Sequence, residues 1–540
     1  MVDPRVAGVV DALKQRGYAL AGDADDGWVR LVGNLATPDG QHRCEVHVDP
    51  DLFELPRVQV LEIPKGVPKV TPHLLGGGHL CYIARNTVVL DFFDPVGQTL
   101  ACLVRAGEVL ASVLKGGMVQ DLEEDFHAYW GGPPCLIDIQ GSRLGRQETL
   151  VVKNGAGYIG VVTDDQVRTK RKLASIDRKL ADYTMLTYRI RTAAKPRPHA
   201  VGWPPQTVRD VLAWQAVLDE RTRKKIEKKI RDGLERSVKG VLILLESPLM
   251  TYGFTVHFNS KKTERVSSRR PTRLAMYDLE VAPVTVMRID DRYIAERNTP
   301  GQVTLAGTSI VLVGCGTIGG YLAEMLVKAG AGTFGGQLTL VDFDTLLPQN
   351  IARHRLGFPY LFENKAASLA TESIRGAPGA NVRALPVDVR HANLGKIDLL
   401  IDATGEEALG HWLCSRYLDE AAMVSAWIEG PGTAVRALLR NDPGGACYRC
   451  LCDSQRAGLF PTVLGKVPSI LAGQGCEGLY VPFPASVSVQ AASLAVELVL
   501  DWTNGVNTPS LRTRVLDRAF QLGTSDCVPA RLEGCPACSS

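Results

Sequence analysis

SIVLVGCGTIGGYLAEMLVKAGAGTFGGQLTLVDFDTLLPQNIAR, residues 309–353, begins with a short apolar run that predicts a buried strand. Gly314, Gly316 and Gly319 follow in the pattern G-x-G-x-x-G and open a helix predicted over 318–328. Glycines in such a turn allow close approach of a phosphate, whose charge is stabilised by the amides at the start of the helix. The stretch therefore predicts a nucleotide-binding unit on a Rossmann-like α/β sheet.

Polar residues follow a second strand, which is predicted over 337–341. Asp342 ends this strand, at a position where an acid accepts hydrogen bonds from ribose hydroxyls. Asn350, Arg353 and Lys365 then place an amide and two cations near the phosphate site. Hydride transfer needs no such clamp on a triphosphate, whereas attack on an α-phosphate requires that the developing charge be neutralised. The pattern therefore favours adenylyl transfer over a dehydrogenase.

These residues resemble the adenylation domain of the ThiF family, which includes the ubiquitin-activating enzymes. The resemblance implies that ATP is the nucleotide, that Asp342 binds its ribose, and that Asn350, Arg353 and Lys365 contact its triphosphate. His354 stands where the family usually has glutamine. The resemblance thus extends the predicted site from the glycine turn to residue 365.

The segment LLIDATGEEALGHW, residues 399–412, resembles the strand of the family that ends in D-x-T-D-N. Gly405 occupies the position of the second aspartate, which the family links to magnesium. We therefore expect either Asp402 or Glu406 to help hold Mg²⁺, and we count Asp402 among the residues of the nucleotide site. If neither carboxylate does so, metal binding is altered in this chain.

The composition describes an ordinary globular protein that is long enough for about three domains. Hydrophobic residues make up 45% of the 540 residues, and the net charge of +3 gives no indication of nucleic-acid binding. The N-terminus shows no basic region followed by a long apolar run, so a cytoplasmic protein is expected. Thirteen cysteines in such a protein indicate metal binding or reactive thiols rather than disulfides.

Cys81 follows an irregular, glycine-rich loop in a predicted order of helix, strands, loop and second helix. A cysteine on such a loop suits a thiol that accepts and releases an acyl group. The order of elements and the fragment from His73 to Cys81 resemble the active-site loop of ubiquitin-conjugating enzymes. The asparagine of that family's HPN motif is missing, and we consider Asn86 for the group that steadies the oxyanion. The competing interpretation of Cys81 is a small buried hydrophobic residue.

Two C-x-x-C motifs supply the strongest metal signal, Cys447 with Cys450 and Cys535 with Cys538. Four thiolates at this spacing form the tetrahedral set that structural zinc prefers, and they leave no coordination position open for chemistry. Proteins of the ThiF family resemble this arrangement, including the wording C-Y-R-C-L. We therefore expect Zn²⁺ to attach the C-terminal tail to the adenylation domain.

Cys476 lies in a glycine-rich loop that leads to a helix with Gln490 and Glu497. A thiol on a mobile loop near a helix start is suited to reach an acyl-adenylate after the loop moves. Its position resembles that of the family's acceptor cysteine, which takes the activated carboxyl group as a thioester. The competing interpretation is a loop cysteine without a function.

We expect a ubiquitin-conjugating-like domain over 1–130, an α+β spacer domain over 131–285 and a ThiF-like adenylation domain over 286–540. The middle region shows no motif, and one long helix is predicted there over 207–239. Arg292 and Arg297 precede the first strand by the interval at which related activating enzymes carry an arginine that reaches a partner subunit's nucleotide. This resemblance implies a homodimer.

Together the resemblances imply one order of events. The C-terminal carboxylate of a protein is adenylated, captured on Cys476, passed to Cys81 and joined to a lysine of a target protein. The chain resembles bacterial fusions of conjugating and activating domains in antiphage CBASS operons, where the modified protein is the cyclic-oligonucleotide cyclase, and in bacterial ubiquitin-like operons. No membrane and no nucleic acid is expected as a partner.

Two other functions stay open at this point. One is a sulfur-carrier-protein adenylyltransferase of cofactor biosynthesis, for which the cysteine motifs and Cys476 serve equally well. The other is a non-catalytic scaffold that binds a nucleotide and a partner, which the glycine at residue 405 would allow.

Overall fold

The structure is a computed structural model that forms two compact units. It describes residues 4–23, 27–65, 67–68, 70–84, 87–88, 91–155, 157–182, 185–199, 202–236, 238–258, 275–473 and 479–538. The first unit comprises Met1–Cys135, Arg143–Val151 and Tyr183–Met287, and the second comprises Leu136–Ser142, Val152–Asp182 and Arg288–Ser540. The middle region is thus divided between the units, and the three domain boundaries expected from the sequence stay a prediction.

The N-terminal part of the first unit is an antiparallel sheet with two long helices. Its elements are α1 Pro4–Lys14, β1 Ala19–Asp23, β2 Val29–Thr37, β3 Gly40–Val48, β4 Arg57–Val60, β5 His79–Leu80, α2 Pro95–Leu114, α3 Asp121–Glu124 and α4 Phe126–Tyr129. The sheet has the order β1-β2-β3-β4-β5. Leu13 of α1 and Leu110 of α2 pack with Leu31 and Val46 of the sheet, because each helix has one apolar face. The predicted order of elements around Cys81 is confirmed.

The middle region continues both units. Its elements are β6 Pro134–Asp138, β7 Gly145–Asn154, β8 Gly157–Thr163, α5 Gln166–Ala174, β9 Leu186–Arg191, α6 Val208–Leu218, α7 Glu220–Glu235, β10 Gly240–Glu246, β11 Thr251–His257 and β12 Val281–Arg288. Within the first unit β9 pairs in parallel with β10, whereas β7 with β9, β10 with β11 and β11 with β12 are antiparallel.

The single helix predicted over 207–239 is wrong. The chain is extended at Asp219, with φ −159° and ψ 101°, and two helices meet there. The Asp219 carboxylate accepts hydrogen bonds from the Arg221 amide and the Thr222 hydroxyl, so it caps the second helix. The helical periodicity runs through this break, which is why the pattern alone did not reveal it.

A cluster of aromatic rings forms the core of the middle part of the first unit. Its members are Phe126, Trp130, Trp203, Trp214 and Tyr252, with ring centroids 5.1–6.0 Å apart. The indole of Trp130 donates to the Gly253 carbonyl. The short helix α4 is therefore anchored in this core by Phe126 and by the tryptophan that follows it.

The second unit is built on a seven-stranded sheet. Its further elements are α8 Asp291–Glu296, β13 Ser309–Val313, α9 Thr317–Lys328, β14 Gln337–Val341, α10 Lys365–Gly376, β15 Val382–Leu385, β16 Leu399–Asp402, α11 Glu407–Tyr417, β17 Ala422–Glu429, β18 Ala434–Arg440, α12 Tyr448–Arg456, α13 Ala485–Thr503 and β19 Leu511–Val515. The order is β15-β14-β13-β16-β17-β18-β19, parallel as far as β17 and antiparallel beyond it. The predicted Rossmann-like fold is confirmed.

Two helices, α2 and α13, are long and apolar enough to cross a membrane by length and composition alone. Both pack into a core: Leu110 of α2 lies in that of the first unit, and Leu498 of α13 in that of the second. About half of the apolar window is buried in each, at 50% and 44%. This burial is what the core helix of a globular unit requires.

A buried ionic network ties α5 to the start of the adenylation region within the second unit. Asp138 is fully buried and accepts hydrogen bonds from Arg168 Nε at 3.2 Å and Lys172 Nζ at 2.9 Å. Lys172 also pairs with Asp291 at 2.8 Å, and Arg168 with Asp164 at 2.6 Å. Since buried charges are costly unless they are paired, Asp138 fixes the positions of both cations, and Asp291 and Asp164 each hold one of them.

Asp138→Asn should therefore destabilise the second unit by about 3–5 kcal/mol, because it leaves two buried cations without their shared carboxylate. Urea unfolding followed by tryptophan fluorescence measures the change. The matched control is Asp419→Asn at an exposed carboxylate of the same unit, which should change the unfolding free energy by less than about 0.5 kcal/mol. Equal effects of the two variants would contradict the role given to Asp138.

Candidate nucleotide site and cysteine centres

The glycine turn between β13 and α9 is shaped by close backbone contacts. Gly314 has φ +87°, and a Cβ at Gly319 would lie 1.8 Å from the Gly314 carbonyl oxygen. Gly316 is different, because a Cβ there would meet nothing within 4 Å. Gly316 also caps α9 without a side-chain hydrogen bond, so the first amides of this 12-residue helix are left for an anion.

Asp342, at the end of β14, is held against this turn. Its Oδ2 accepts a hydrogen bond from the Cys315 amide at 2.7 Å, and its Oδ1 accepts one from the Asp344 amide at 2.8 Å. Burial raises the pKa of Asp342, while the two amides and Lys365 oppose that shift. Lys365 is buried at the start of α10, and its Nζ donates to Asp344 Oδ2 at 2.7 Å.

A cavity of about 690 Å³ lies at the ends of β13, β14 and β16. This is the place expected, because the carboxyl ends of parallel strands meet at one edge of a sheet. The predicted residues brought together here are Gly314, Gly316, Asp342 and Lys365. The further charged side chains that line it are Asp344, Asp388, Arg390 and Glu406. The cavity thus joins an acid, a buried lysine and open helix amides, which suits a nucleotide phosphate beside a ribose.

Four predicted residues are not among those that line this cavity in the part of the chain that the structure describes. Gly319 packs against the Gly314 carbonyl within the turn. Asn350 accepts a hydrogen bond from the Leu347 amide through its Oδ1. Arg353 donates to the Val481 carbonyl at 2.9 Å and lies over an aromatic ring. Asp402 is the fourth, and its side chain is buried.

The carboxylates considered for magnesium differ in their exposure to the cavity. Asp402 Oδ1 accepts hydrogen bonds from the Thr404 amide and hydroxyl, and burial raises the pKa of Asp402. Gly405 has φ +70°, with open space where a side chain would be. Glu406 lines the cavity. The Glu406 carboxylate is therefore available to a metal ion in this cavity, although Gly405 has no side chain to offer.

Sequence reasoning missed Asp344 and Arg390. Asp344 carries a signal that could have been used, because it lies two residues after the ribose acid and can face the same cavity. Arg390 follows β15 in a short 3₁₀ helix and pairs with Asp388 at 2.5 Å. No spacing rule connects it to the glycine turn, so only the folded chain shows its place.

His354 supports the glycine turn instead of facing the nucleotide. Its Nε2 lies 2.8 Å from the Cys315 carbonyl oxygen, and its Nδ1 accepts from the Leu356 amide at 3.0 Å. These partners assign the proton to Nε2 in a neutral ring. A glutamine, with one amide donor and one acceptor, can make the same two kinds of hydrogen bond.

Burial lowers the pKa of His354 below its ordinary value of 6.5. The folded protein therefore binds this proton less readily than the unfolded chain, and stability is lost as the pH falls below that value. His354→Gln should reduce the loss of thermal stability of the second unit between about pH 7.5 and pH 5.5. Thermal unfolding across this range measures it, and identical slopes for variant and wild type would contradict the assignment.

The four cysteines of the two C-x-x-C motifs meet in one buried cluster. The sulfur atoms of Cys447 and Cys450 are 3.6 Å apart, those of Cys447 and Cys535 are 3.8 Å apart, and those of Cys450 and Cys538 are 3.5 Å apart. Tetrahedral zinc with bonds of about 2.3 Å needs sulfur atoms about 3.8 Å apart. The cluster therefore fits a structural zinc ion.

Cys81 is exposed and lies at the edge of two cavities of the first unit. One cavity, of about 530 Å³, includes His73 and Asp125 among its lining residues. The other, of about 580 Å³, has mainly apolar walls, which include Phe53 and Leu75. An exposed thiol with space on two sides is what an acyl carrier needs, whereas a packing residue would be enclosed.

Cys476 and Asn86 lie outside the described residues, so their predicted roles stay predictions. Five further cysteines are buried, as expected for packing residues: Cys44, Cys102, Cys135, Cys315 and Cys414. Burial raises the pKa of the Cys135 thiol to about 12, which leaves it protonated and unreactive.

Two parts of the chain match known families. Residues 291–535 match the ThiF family, and residues 31–132 match prokaryotic E2 family B. The fold, the glycine-turn cavity and the exposed Cys81 therefore belong to a fusion of a conjugating-type domain with a ThiF-type adenylation domain. This confirms the class expected from the sequence.

The ATP-dependent ubiquitin transferase-like protein Cap2 of Pseudomonas aeruginosa is 57% identical over 537 residues, which is 99% of each chain. The chain therefore belongs to the Cap2 family of ATP-dependent ubiquitin transferase-like proteins. The adenylyltransferase and sulfurtransferase MOCS3 of Danio rerio is 25% identical over 237 residues, or 39% of this chain and 50% of that protein. A crystal structure of Escherichia coli MccB covers 44% of this chain and 66% of that one, at 17% identity and a TM-score of 0.33.

Proposed function

We propose that this protein adenylates the C-terminal carboxylate of a partner protein, captures it as a thioester on Cys476, passes it to Cys81 and joins it to a target lysine. The partner is the tail of a cyclic-oligonucleotide cyclase or a ubiquitin-like protein, and the setting is antiphage defence in the cytoplasm. One observation supports the proposal: a cavity at the glycine turn and an exposed Cys81 occur in a chain that matches Cap2 over 99% of its length.

The residues of the second unit account for the first step. The amides of α9 and the Lys365 ammonium stabilise the phosphates of ATP while the carboxylate oxygen attacks the α-phosphorus and pyrophosphate leaves. Asp342 accepts hydrogen bonds from the ribose. When bound, Mg²⁺ would supply further neutralisation of the phosphate charge, with Glu406 as the carboxylate that faces the cavity.

The later steps are acyl transfers. The Cys476 thiolate attacks the carbonyl carbon of the acyl-adenylate and AMP leaves. The Cys81 thiolate then attacks the thioester and releases Cys476 as a thiolate, after which the lysine amine forms an amide and releases Cys81. The acyl group thus passes from the adenylate to one thioester and then to the next, and the amide forms from an activated thioester instead of a free acid.

We also propose that the protein works as a homodimer in which Arg292 or Arg297 reaches the second subunit's nucleotide. Arg292 is exposed on α8 and pairs with Glu296 at 2.7 Å, and Arg297 Nη1 lies 3.2 Å from Asn298 Oδ1. The exposed ion pair of Arg292 is weak, and the Asn298 side chain beside Arg297 is a neutral amide, so both guanidinium groups can turn to another anion at little cost.

The alternatives explain less of the chain. A sulfur-carrier adenylyltransferase accounts for the resemblance to MOCS3, which covers 39% of this chain, but leaves residues 31–132 without a use. A non-catalytic scaffold was suggested by Gly405, yet Glu406 presents a carboxylate to the same cavity. Conjugation, in contrast, uses both the E2-like region, 31–132, and the ThiF-like region, 291–535.

The relay is tested by incubating the protein with ATP, magnesium and the small or cyclase-like proteins encoded beside its gene. On non-reducing gels we expect a thiol-sensitive adduct that vanishes in Cys476→Ala and stays on Cys476 in Cys81→Ala. Lys365→Ala should lower the rate of adduct formation on the order of 10²-fold, as loss of one charge-stabilising group does. Lys396→Ala, at an exposed lysine of the same unit, is the matched control. A wild-type adduct that is found on Cys476 and never on Cys81 would contradict the second transfer.

We further propose that the cysteine cluster binds Zn²⁺. The purified protein should contain about one zinc ion per chain, and Cys535→Ser should lose it and unfold at a lower temperature, because three ligands hold structural zinc less tightly than four. Elemental analysis and thermal unfolding measure the two effects. Cys527→Ser serves as the matched control, since this thiol lies outside the cluster. Retention of zinc in Cys535→Ser would contradict the assignment.

A further inference from the structure

His73 and Asp121 form a hydrogen-bonded pair at the cavity of about 530 Å³ beside Cys81. His73 Nε2 lies 2.8 Å from Asp121 Oδ2, and His73 is one of the residues that line this cavity. The main chain of His73 is tied directly to the cysteine, because its carbonyl accepts a hydrogen bond from the Cys81 amide at 2.8 Å. The pair therefore has a fixed place relative to the thiol.

Two features of His73 cost stability. Its φ is +59°, in the left-handed region, which costs energy for residues other than glycine, although histidine adopts it more often than most. Its Nδ1 is buried and has no hydrogen-bond partner among the described residues. With Asp121 ionised, the Nε2 hydrogen is donated to the carboxylate and the lone pair of Nδ1 is left open. Strain and an unsatisfied nitrogen in one residue beside a reactive thiol indicate a chemical use.

The middle part of the first unit holds Asp121 in place. Asp121 begins α3, and the next helix is anchored through Phe126 and Trp130 in the aromatic core. The Tyr129 hydroxyl, between these two anchors, donates to the Thr71 carbonyl at 3.2 Å, two residues before His73. The segment 121–130 is thus fixed on one side to the aromatic core and on the other to the loop of the histidine.

We propose that His73 accepts the proton of the amine that attacks the thioester on Cys81, and that Asp121 is the positioning residue that orients the ring. This inference rests on the proposed acyl transfer through Cys81. The amine nitrogen bonds to the carbonyl carbon, the C–S bond breaks, Cys81 leaves as a thiolate, and the proton from nitrogen moves to His73 Nδ1. Because Nδ1 is buried in the protein without a thioester, this step requires that the groups covering it move aside when the thioester and the amine bind. The charged imidazolium is then stabilised by the Asp121 carboxylate.

The test charges Cys81 of the full-length protein without ATP, by exchange with a fluorescent peptide thioester that ends in glycine. Mass spectrometry locates the label, and its discharge by free lysine is timed. His73→Asn should slow this discharge on the order of 10²-fold, because asparagine tolerates positive φ but has no basic nitrogen. Discharge by hydroxylamine, a stronger nucleophile whose attack on a thioester depends less on a general base, should change far less. Asp121→Asn should slow lysine discharge by a smaller factor.

Imidazole rescue separates chemistry from folding. His73→Gly removes the ring at a backbone conformation that suits glycine, and added imidazole should restore lysine discharge in this variant alone. His42→Asn, on β3 away from the cavity, is the matched control and should behave as wild type. Lysine discharge by His73→Asn within about twofold of wild type would overturn the inference. Failure of the ATP-dependent relay would instead overturn the proposed activation. The discharge assay would still test His73, because it charges Cys81 without ATP.

Discussion

The turn between β13 and α9 is the constraint on which the second unit depends. A side chain at Gly319 would collide with the Gly314 carbonyl, so the helix can lie this close to the strand only if both residues are glycine. That approach brings the Cys315 amide to Asp342 and the Cys315 carbonyl to His354. One turn therefore sets the positions of the ribose acid, the helix amides and the chain that follows β14.

The first half of the nucleotide site was predictable because its signals are local. The strand, the glycines and the helix lie within one stretch, and the strand-end rule places Asp342 beside them. Asn350 and Arg353 were predicted as phosphate contacts from their distance along the sequence. Instead, a 3₁₀ turn places the Asn350 side-chain oxygen on the Leu347 amide, and the Arg353 guanidinium donates to the Val481 carbonyl. Both residues are close to the glycine turn in sequence, but the direction of each side chain depends on tertiary packing, which a sequence motif does not contain.

The middle region shows what a sequence without motifs conceals. The rings of Phe126, Trp130, Trp203, Trp214 and Tyr252 meet in one core although they are spread over more than a hundred residues. Asp138, Arg168 and Lys172 likewise combine only in the folded second unit. A region expected to be a spacer thus supplies core to one unit and a buried ionic network to the other. Its rings Trp203, Trp214 and Tyr252 also pack against Phe126 and so anchor the segment that carries Asp121.

The cysteine cluster joins the start of α12 to the extreme C-terminal turn, so the chain between residues 450 and 535 forms a closed loop when the thiolates share a metal. This loop contains α13, β19 and the segment with Cys476. A cut by a protease within it would leave two fragments held as one particle by coordination and by the sheet. Such a nick would become visible as a separated C-terminal piece only under conditions that both unfold the sheet and remove the metal.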